Sequence, residues 1–205
     1  MALNTFSALK TAIANFLNRS DLTTTIPDFI TLAEAQVNRR LRVREMVGRS
    51  TASIADGYLA VPSDFLGTRT ITLATDPTSI LKYVSPDEAE TLKATVYTGT
   101  GTPKVYTVLG DEFQFLPAPD ATYTANMTYW KTIPALSDSN TSNWLLAAHP
   151  DVYLYGALTQ SAPYLGVDDR INTWGTLFTT ALTDMKKEDA HNAYGGTLNM
   201  RARSL

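Results

Sequence analysis

The side chains able to do chemistry are few and scattered in this chain of 205 residues. There are only two histidines, His149 and His191, and no cysteine. Disulfides, thiolate nucleophiles and Cys-ligated zinc are therefore excluded. His149 directly precedes Pro150 at an expected helix start, a boundary position rather than a catalytic one. His191 falls near the end of an expected helix, where an imidazole suits the negative end of the dipole. Asp168-Asp169 could ligate a metal, but at a helix start they serve as a cap and a first-turn acid. Asp87, Glu88 and Glu90 read the same way. Asp111-Glu112 sits on a hairpin turn, where nothing desolvates either carboxylate. No HExxH, glycine-rich phosphate loop or GxSxG occurs. The expectation is a chain that is not an enzyme, with no catalytic site, cofactor or metal, which works through surfaces that meet other subunits.

Two charged features could form such surfaces. Arg39, Arg40, Arg42 and Arg44 crowd the expected end of the second helix. A solvated, dipole-favoured helix end explains them. Four arginines without a lysine also suit bidentate contact with carboxylates of a neighbouring subunit. Phosphate binding ranks behind both, because the rest of the chain offers no wider basic stripe. The second feature is the C-terminal segment from Tyr194, with Gly195-Gly196 as a hinge and then Leu198, Met200, Arg201, Arg203 and Leu205. It reads either as a frayed end or as a peptide that orders against a partner by coupled folding or strand addition.

Composition bounds the rest. The chain is 44% hydrophobic and 18% charged, ordinary for a globular protein of one domain or two small ones. The formal net charge of −3 argues against holding nucleic acid through its phosphates. No stretch approaches the length of a membrane span. Met1 to Thr5 has no basic segment leading into an apolar run, so synthesis and action in the cytoplasm are expected.

The elements that must carry these surfaces can be read from periodicity. Phe6, Leu9, Ile13, Phe16 and Leu17 predict a helix over 5–17. A second is expected from Thr25–Pro27 to about Glu45, with a wide apolar face on Ile26, Ile30, Ala33, Val37 and Leu41. From Val47 the period changes. Asp56-Gly57, between Arg49–Ile54 and Tyr58–Val61, predicts a type I′ hairpin. Ser85-Pro86-Asp87-Glu88 predicts a capped short helix to about Ala94. Gly110-Asp111 predicts a type II′ hairpin, and Tyr123–Tyr129 alternates as a strand with one buried face. After Ser137–Ser142 helices return, one over Asp151–Tyr164 as the most buried, opening at His149-Pro150, and a last one carrying Ile171, Trp174, Phe178, Leu182 and Met185. The expected fold is α+β. An α-helical bundle is formed by N-terminal helices (1–46) and C-terminal helices (136–193). It carries an inserted antiparallel β-rich domain (47–135) and an extended arm (194–205).

One segment is distinctive: Asn143-Trp144-Leu145-Leu146, His149-Pro150-Asp151 and Tyr153-Leu154-Tyr155-Gly156-Ala157-Leu158, continuing through Asp168-Asp169-Arg170 and Trp174 to Tyr194-Gly195-Gly196. It resembles the C-terminal half of the head-to-tail adaptor proteins of short-tailed phages. Ile26-Pro27-Asp28-Phe29-Ile30, Asn38-Arg39-Arg40-Leu41-Arg42 and Asp56–Leu66 look like the same family's earlier parts. The resemblance implies a structural protein of the virion neck, similar to tail tubular proteins. It would form a homo-oligomeric ring of about twelve copies that docks on the portal protein and attaches the tail nozzle. Tail fibres are a further candidate partner, and DNA would pass through without specific binding. Residues Tyr194–Leu205 would be the portal-binding arm, and the four arginines inter-subunit or portal contacts. A competing reading is a tail-fibre or receptor- or carbohydrate-recognising β-module on a helical docking stem. The terminal helices lack the sustained heptads that a stem requires.

Overall fold

The computed structural model describes residues 3–166 and 170–193. Its elements run α1 (Phe6–Leu17), α2 (Ile26–Arg40), β1 (Val47–Ile54), β2 (Tyr58–Ala60), β3 (Phe65–Leu73), β4 (Ser79–Ile80), β5 (Lys82–Tyr83), α3 (Pro86–Thr95), β6 (Val105–Leu109), β7 (Glu112–Leu116), β8 (Tyr123–Lys131), α4 (Trp144–Ala148), α5 (Pro150–Leu165) and α6 (Ile171–Ala193). The class is α+β, as the periodicities require. The chain divides into two compact units, one made of Met1–Glu45 with Ile133–Leu205 and the other of Met46–Thr132.

The first unit is helical and centres on α5, which packs against α1, α2, α4 and α6. Helix α1 starts where the Thr5 hydroxyl accepts from Ala8 N at 3.2 Å, and stops at Asn18, whose φ of 53° is left-handed. It buries Phe6, Leu9, Ile13 and Leu17. Close approach to α5 is possible because residue 156 is glycine. A Cβ there would stand 3.0 Å from the Phe178 ring and 3.2 Å from Ala33 Cβ. Along α6 the residues Trp174, Phe178, Leu182 and Met185 form the buried stripe.

A buried polar group ties this unit together. Glu34 lies on the inner face of α2 and is only 6% exposed. Its Oε1 accepts from the backbone N of Leu136 at 2.8 Å and from the Tyr153 hydroxyl of α5 at 3.0 Å. The Tyr153 oxygen in turn accepts from Asn143 Nδ2 at 2.6 Å, while Asn143 Oδ1 caps α4 at Leu146 N. One turn beyond Glu34, Asn38 Oδ1 accepts from Ile133 N at 3.0 Å. Glu34 and Asn38 thus hold the extended segment 133–136 along α2. Burial raises the Glu34 carboxyl above its ordinary pKa, the bonds from Leu136 and Tyr153 opposing it. Burial, with the Glu34 charge beside it, also pushes the Tyr153 phenol up.

The second unit is a pair of four-stranded sheets ordered β1-β8-β3-β4 and β2-β7-β6-β5. Their facing sides share one core of Ile54, Ile71, Leu73, Phe113, Phe115 and Met127, with further residues around them. In β8 the residues Ala125, Met127 and Tyr129 point inward, and Thr124 and Asn126 outward, as the alternation predicts. Helix α3, capped by Ser85 on Glu88 N at 3.3 Å, covers the other face of the second sheet through Ala89 against Val105 and Leu116. Pairing is antiparallel except β5 with β6 and a parallel bridge between Thr100 and Ala118.

Two local expectations need correction. Asp56-Gly57 is not a type I′ hairpin: neither residue has a positive φ, and β1 and β2 belong to different sheets. Strand β1 pairs with β8, and β2 pairs with β7. The connection carries the chain from one sheet to the other, and Gly57 O accepts from Phe115 N at 2.8 Å. Gly110-Asp111 does make a two-residue turn between Leu109 and Glu112, with a positive φ (58°) at its first residue only, as type II′ requires. The second correction is the end of α2, which stops at Arg40 rather than near Glu45.

Candidate assembly surfaces

The early end of α2 decides how its arginines are displayed. At Leu41 the backbone turns extended (φ −101°, ψ 138°), so the side-chain period changes from 3.6 to 2. Leu41 and Val43 are buried, while Arg42 and Arg44 point outward. Arg39 and Arg40 remain on the last helical turn, also exposed. The four are therefore not one helical face: Arg39 and Arg40 end the helix, Arg42 lies on the extended link 41–43, and Arg44 opens a short 3-10 turn (Arg44–Met46).

Three of the four guanidinium groups are engaged, each differently. Arg42 Nη1 donates to Asn38 O at 2.6 Å and also to Leu41 O, capping carbonyls that the helix leaves unpaired. Arg40 Nη2 and Nη1 lie 3.0 and 3.1 Å from the Gln36 side-chain oxygen in its satisfied orientation. Arg44 Nη2 is 3.1 Å from Glu45 Oε1, and its backbone N donates to Asp189 Oδ1 of α6 at 3.1 Å. Arg39 has no partner among the described residues, so its full hydrogen-bonding capacity is open to another chain.

His149 caps the end of α4 and the start of α5, the boundary role expected of it. It also lines a cleft of about 80 Å³ with Arg44, Trp144 and Asp189. The buried Trp144 Nε1 finds no acceptor among the described residues. His191 is exposed in the last turn of α6. Glu88 is spent in the first turn of α3, and Asp111 forms the β6–β7 turn. Among the described residues no group of three or more His, Asp or Glu could hold a metal ion. Among them no helix is long and apolar enough to cross a membrane. Asp168, Asp169 and the whole arm, Tyr194 to Leu205, lie outside the described residues.

Sequence reasoning missed the Glu34–Tyr153–Asn143 group. A signal was present: Glu34 stands four residues after Ile30 and three before Val37, which puts a carboxylate on the apolar stripe of α2. A buried acid needs donors, and the chain supplies them from two distant segments.

Against known proteins, a family model described as SU10 adaptor protein matches residues 4–201, covering both units. No curated protein matches the chain. The chain belongs to the SU10 adaptor protein family, a family of phage head-to-tail adaptors and hence of structural virion proteins.

Proposed function

We propose that the chain is a ring-forming adaptor of the virion neck, docked on the portal protein and attaching the tail nozzle around the DNA channel. The observation that carries this reading is the adaptor-family match across residues 4–201, which spans the helical unit and the β-unit together. Three features support it. Arg39, Arg40, Arg42 and Arg44 present guanidinium groups along one exposed edge of the helical unit, suited to carboxylates of a neighbouring subunit or of the portal. The segment Tyr194–Leu205 follows α6 directly and serves as the portal-binding arm, with Leu198, Met200 and Leu205 as apolar anchors beside Arg201 and Arg203. Finally, about twelve copies at −3 each carry on the order of −36, which keeps a DNA conduit from binding its cargo.

Light scattering of the chain with and without purified portal tests the reading. A large ring, or a monomer that assembles only on portal, supports it. A strict trimer indifferent to portal refutes it in favour of a fibre component. Truncation after Ala193 separates the arm from the rest: the helical unit keeps its fold and loses portal docking. Undiminished docking removes the arm from the mechanism.

A further inference from the structure

Three of the four sheet edges in the β-unit are closed by short strands. Strand β2 has three residues, and β4 and β5 have two each. The fourth edge is β1, eight residues long and paired without a register break to β8 on one side only. In an antiparallel pair every second residue turns its N–H and C=O away from its partner. No backbone group of Val47–Ile54 bonds to anything but β8 among the described residues. Natural sheets shorten such an edge, bulge it, or load it with Pro or Lys. Strand β1 is long and unbulged, without Pro or Lys, and its one charge is Arg49.

The two faces of β1 state what would lie beside it. Its inward row is small over Gly48, Ser50 and Ala52 and ends in the buried Ile54. At Gly48 the Tyr129 ring occupies the space a side chain would need, a Cβ there meeting Cζ at 2.9 Å. Ser50 and Ala52 sit at the rim of the apolar core formed by Leu59, Phe113, Phe115 and Met127. A strand added next to this row completes the core only with bulky apolar side chains at alternate positions. The outward row is Arg49, Thr51 and Ser53, all exposed. Arg49 has no ion pair or hydrogen bond among the described residues, and Arg69 is occupied over the Trp130 ring at 4.8 Å. Across β1, β8 and β3 this outer face carries Thr70, Thr72, Asn126 and Thr128 and no carboxylate. A cationic, hydroxyl-rich face favours acid on the incoming strand. It disfavours the chain's own arm, whose outward residues would include Arg201 and Arg203.

We infer that the free edge of β1 is a docking site for an extended segment of a second protein, added as a fifth strand antiparallel or parallel to β1. The segment alternates bulky apolar residues, facing inward over Ser50 and Ala52, with polar residues that include a carboxylate beside Arg49. The site does not depend on the ring or on portal docking, and it fails or stands separately from them.

Hydrogen exchange of the full chain, read over residues 47–54, tests it with a synthetic peptide as long as β1 that alternates leucine or valine with glutamate and threonine. In the free chain the outward-directed amides of β1 exchange fast. The peptide slows them at least tenfold, and a scrambled peptide of equal composition does not. Arg49→Glu shifts preference from the glutamate peptide to its lysine counterpart by a similar factor. Ser50→Lys, an inward charge at the edge, removes binding of both. If that variant does not fold, the charge reversal at Arg49 carries the test alone. Slow exchange in the free, dilute chain means the chain covers its own edge and overturns the inference. Protection that grows with protein concentration assigns the edge to a second copy, and equal binding of the scrambled peptide shows mere stickiness. Either outcome overturns it too.

Discussion

Replacing Glu34 by alanine should damage the helical unit well beyond what the loss of one side chain on α2 suggests. The carboxylate accepts from Leu136 N at 2.8 Å and from the Tyr153 hydroxyl at 3.0 Å, at a position 6% exposed. Its removal leaves a buried N–H unpaired, costing about 1–3 kcal/mol, and takes the acceptor from the tyrosine proton, about 1 kcal/mol more. Relief of the desolvated carboxylate returns roughly 1 kcal/mol, so the net loss is about 1–3 kcal/mol. At that size the thermal midpoint of the unit falls by roughly 4–12 °C. Glu34→Gln keeps an oxygen for both donors and should lose less than half as much. The two variants also separate charge from hydrogen bonding through pH. Because the folded-state pKa of Glu34 is raised, its ionisation works against the fold. The stability it contributes is fully present below the unfolded-state pKa and is lost as pH rises through the folded-state value. Wild type should therefore gain on Glu34→Gln as the solution is acidified from neutral towards the unfolded carboxylate pKa. Urea titrations followed by helical circular dichroism at several pH values measure both effects. A Glu34→Ala chain within about 0.5 kcal/mol of wild type would refute the reasoning. So would a difference between wild type and Glu34→Gln that does not change with pH.

Gly156→Ala should cost about 1–3 kcal/mol by forcing α5 away from Phe178 and Ala33, which a Cβ would meet at 3.0 and 3.2 Å. Calorimetry of the variant checks this, and an unchanged midpoint would show that the crossing relaxes freely. Arg39→Glu should leave stability within about 0.5 kcal/mol, since Arg39 has no partner among the described residues. It should weaken assembly or portal binding at least tenfold, measured by light scattering and pull-down; unchanged assembly removes Arg39 from the contact set.

Local physics made much of this fold legible. Ser85 marks a helix start because a hydroxyl and the backbone beside it suffice to cap a helix. Gly110-Asp111 specifies its turn because only the first residue needs a positive φ. The alternation of Tyr123–Tyr129 fixes which face of β8 is buried whatever strands flank it. The missed elements depend on partners far along the chain. Asp56-Gly57 has the composition of a hairpin. Yet β1 finds its neighbour in β8, from Val47 against Trp130 to Ile54 against Tyr123, and no window around residue 56 contains that information. Helix α2 carries an apolar stripe through Leu41, but its end is set where Leu41 and Val43 are buried as an extended pair.

The candidate surfaces divide along the same line. Residue types alone excluded Cys-based chemistry and marked the four arginines and the arm, because an inventory of side chains limits chemistry without coordinates. Residue types and family-like segments also supported an adaptor, since such segments survive as strings. Only tertiary structure decided that Arg42 lies on an extended link and Arg44 on a 3-10 turn while Arg39 stays on the helix. It alone buried Glu34 against Tyr153 and left one long strand edge unpaired while its three counterparts are short. Those facts arise from contacts between distant segments, and sequence periodicity reports which face of an element is apolar, not what comes to cover it.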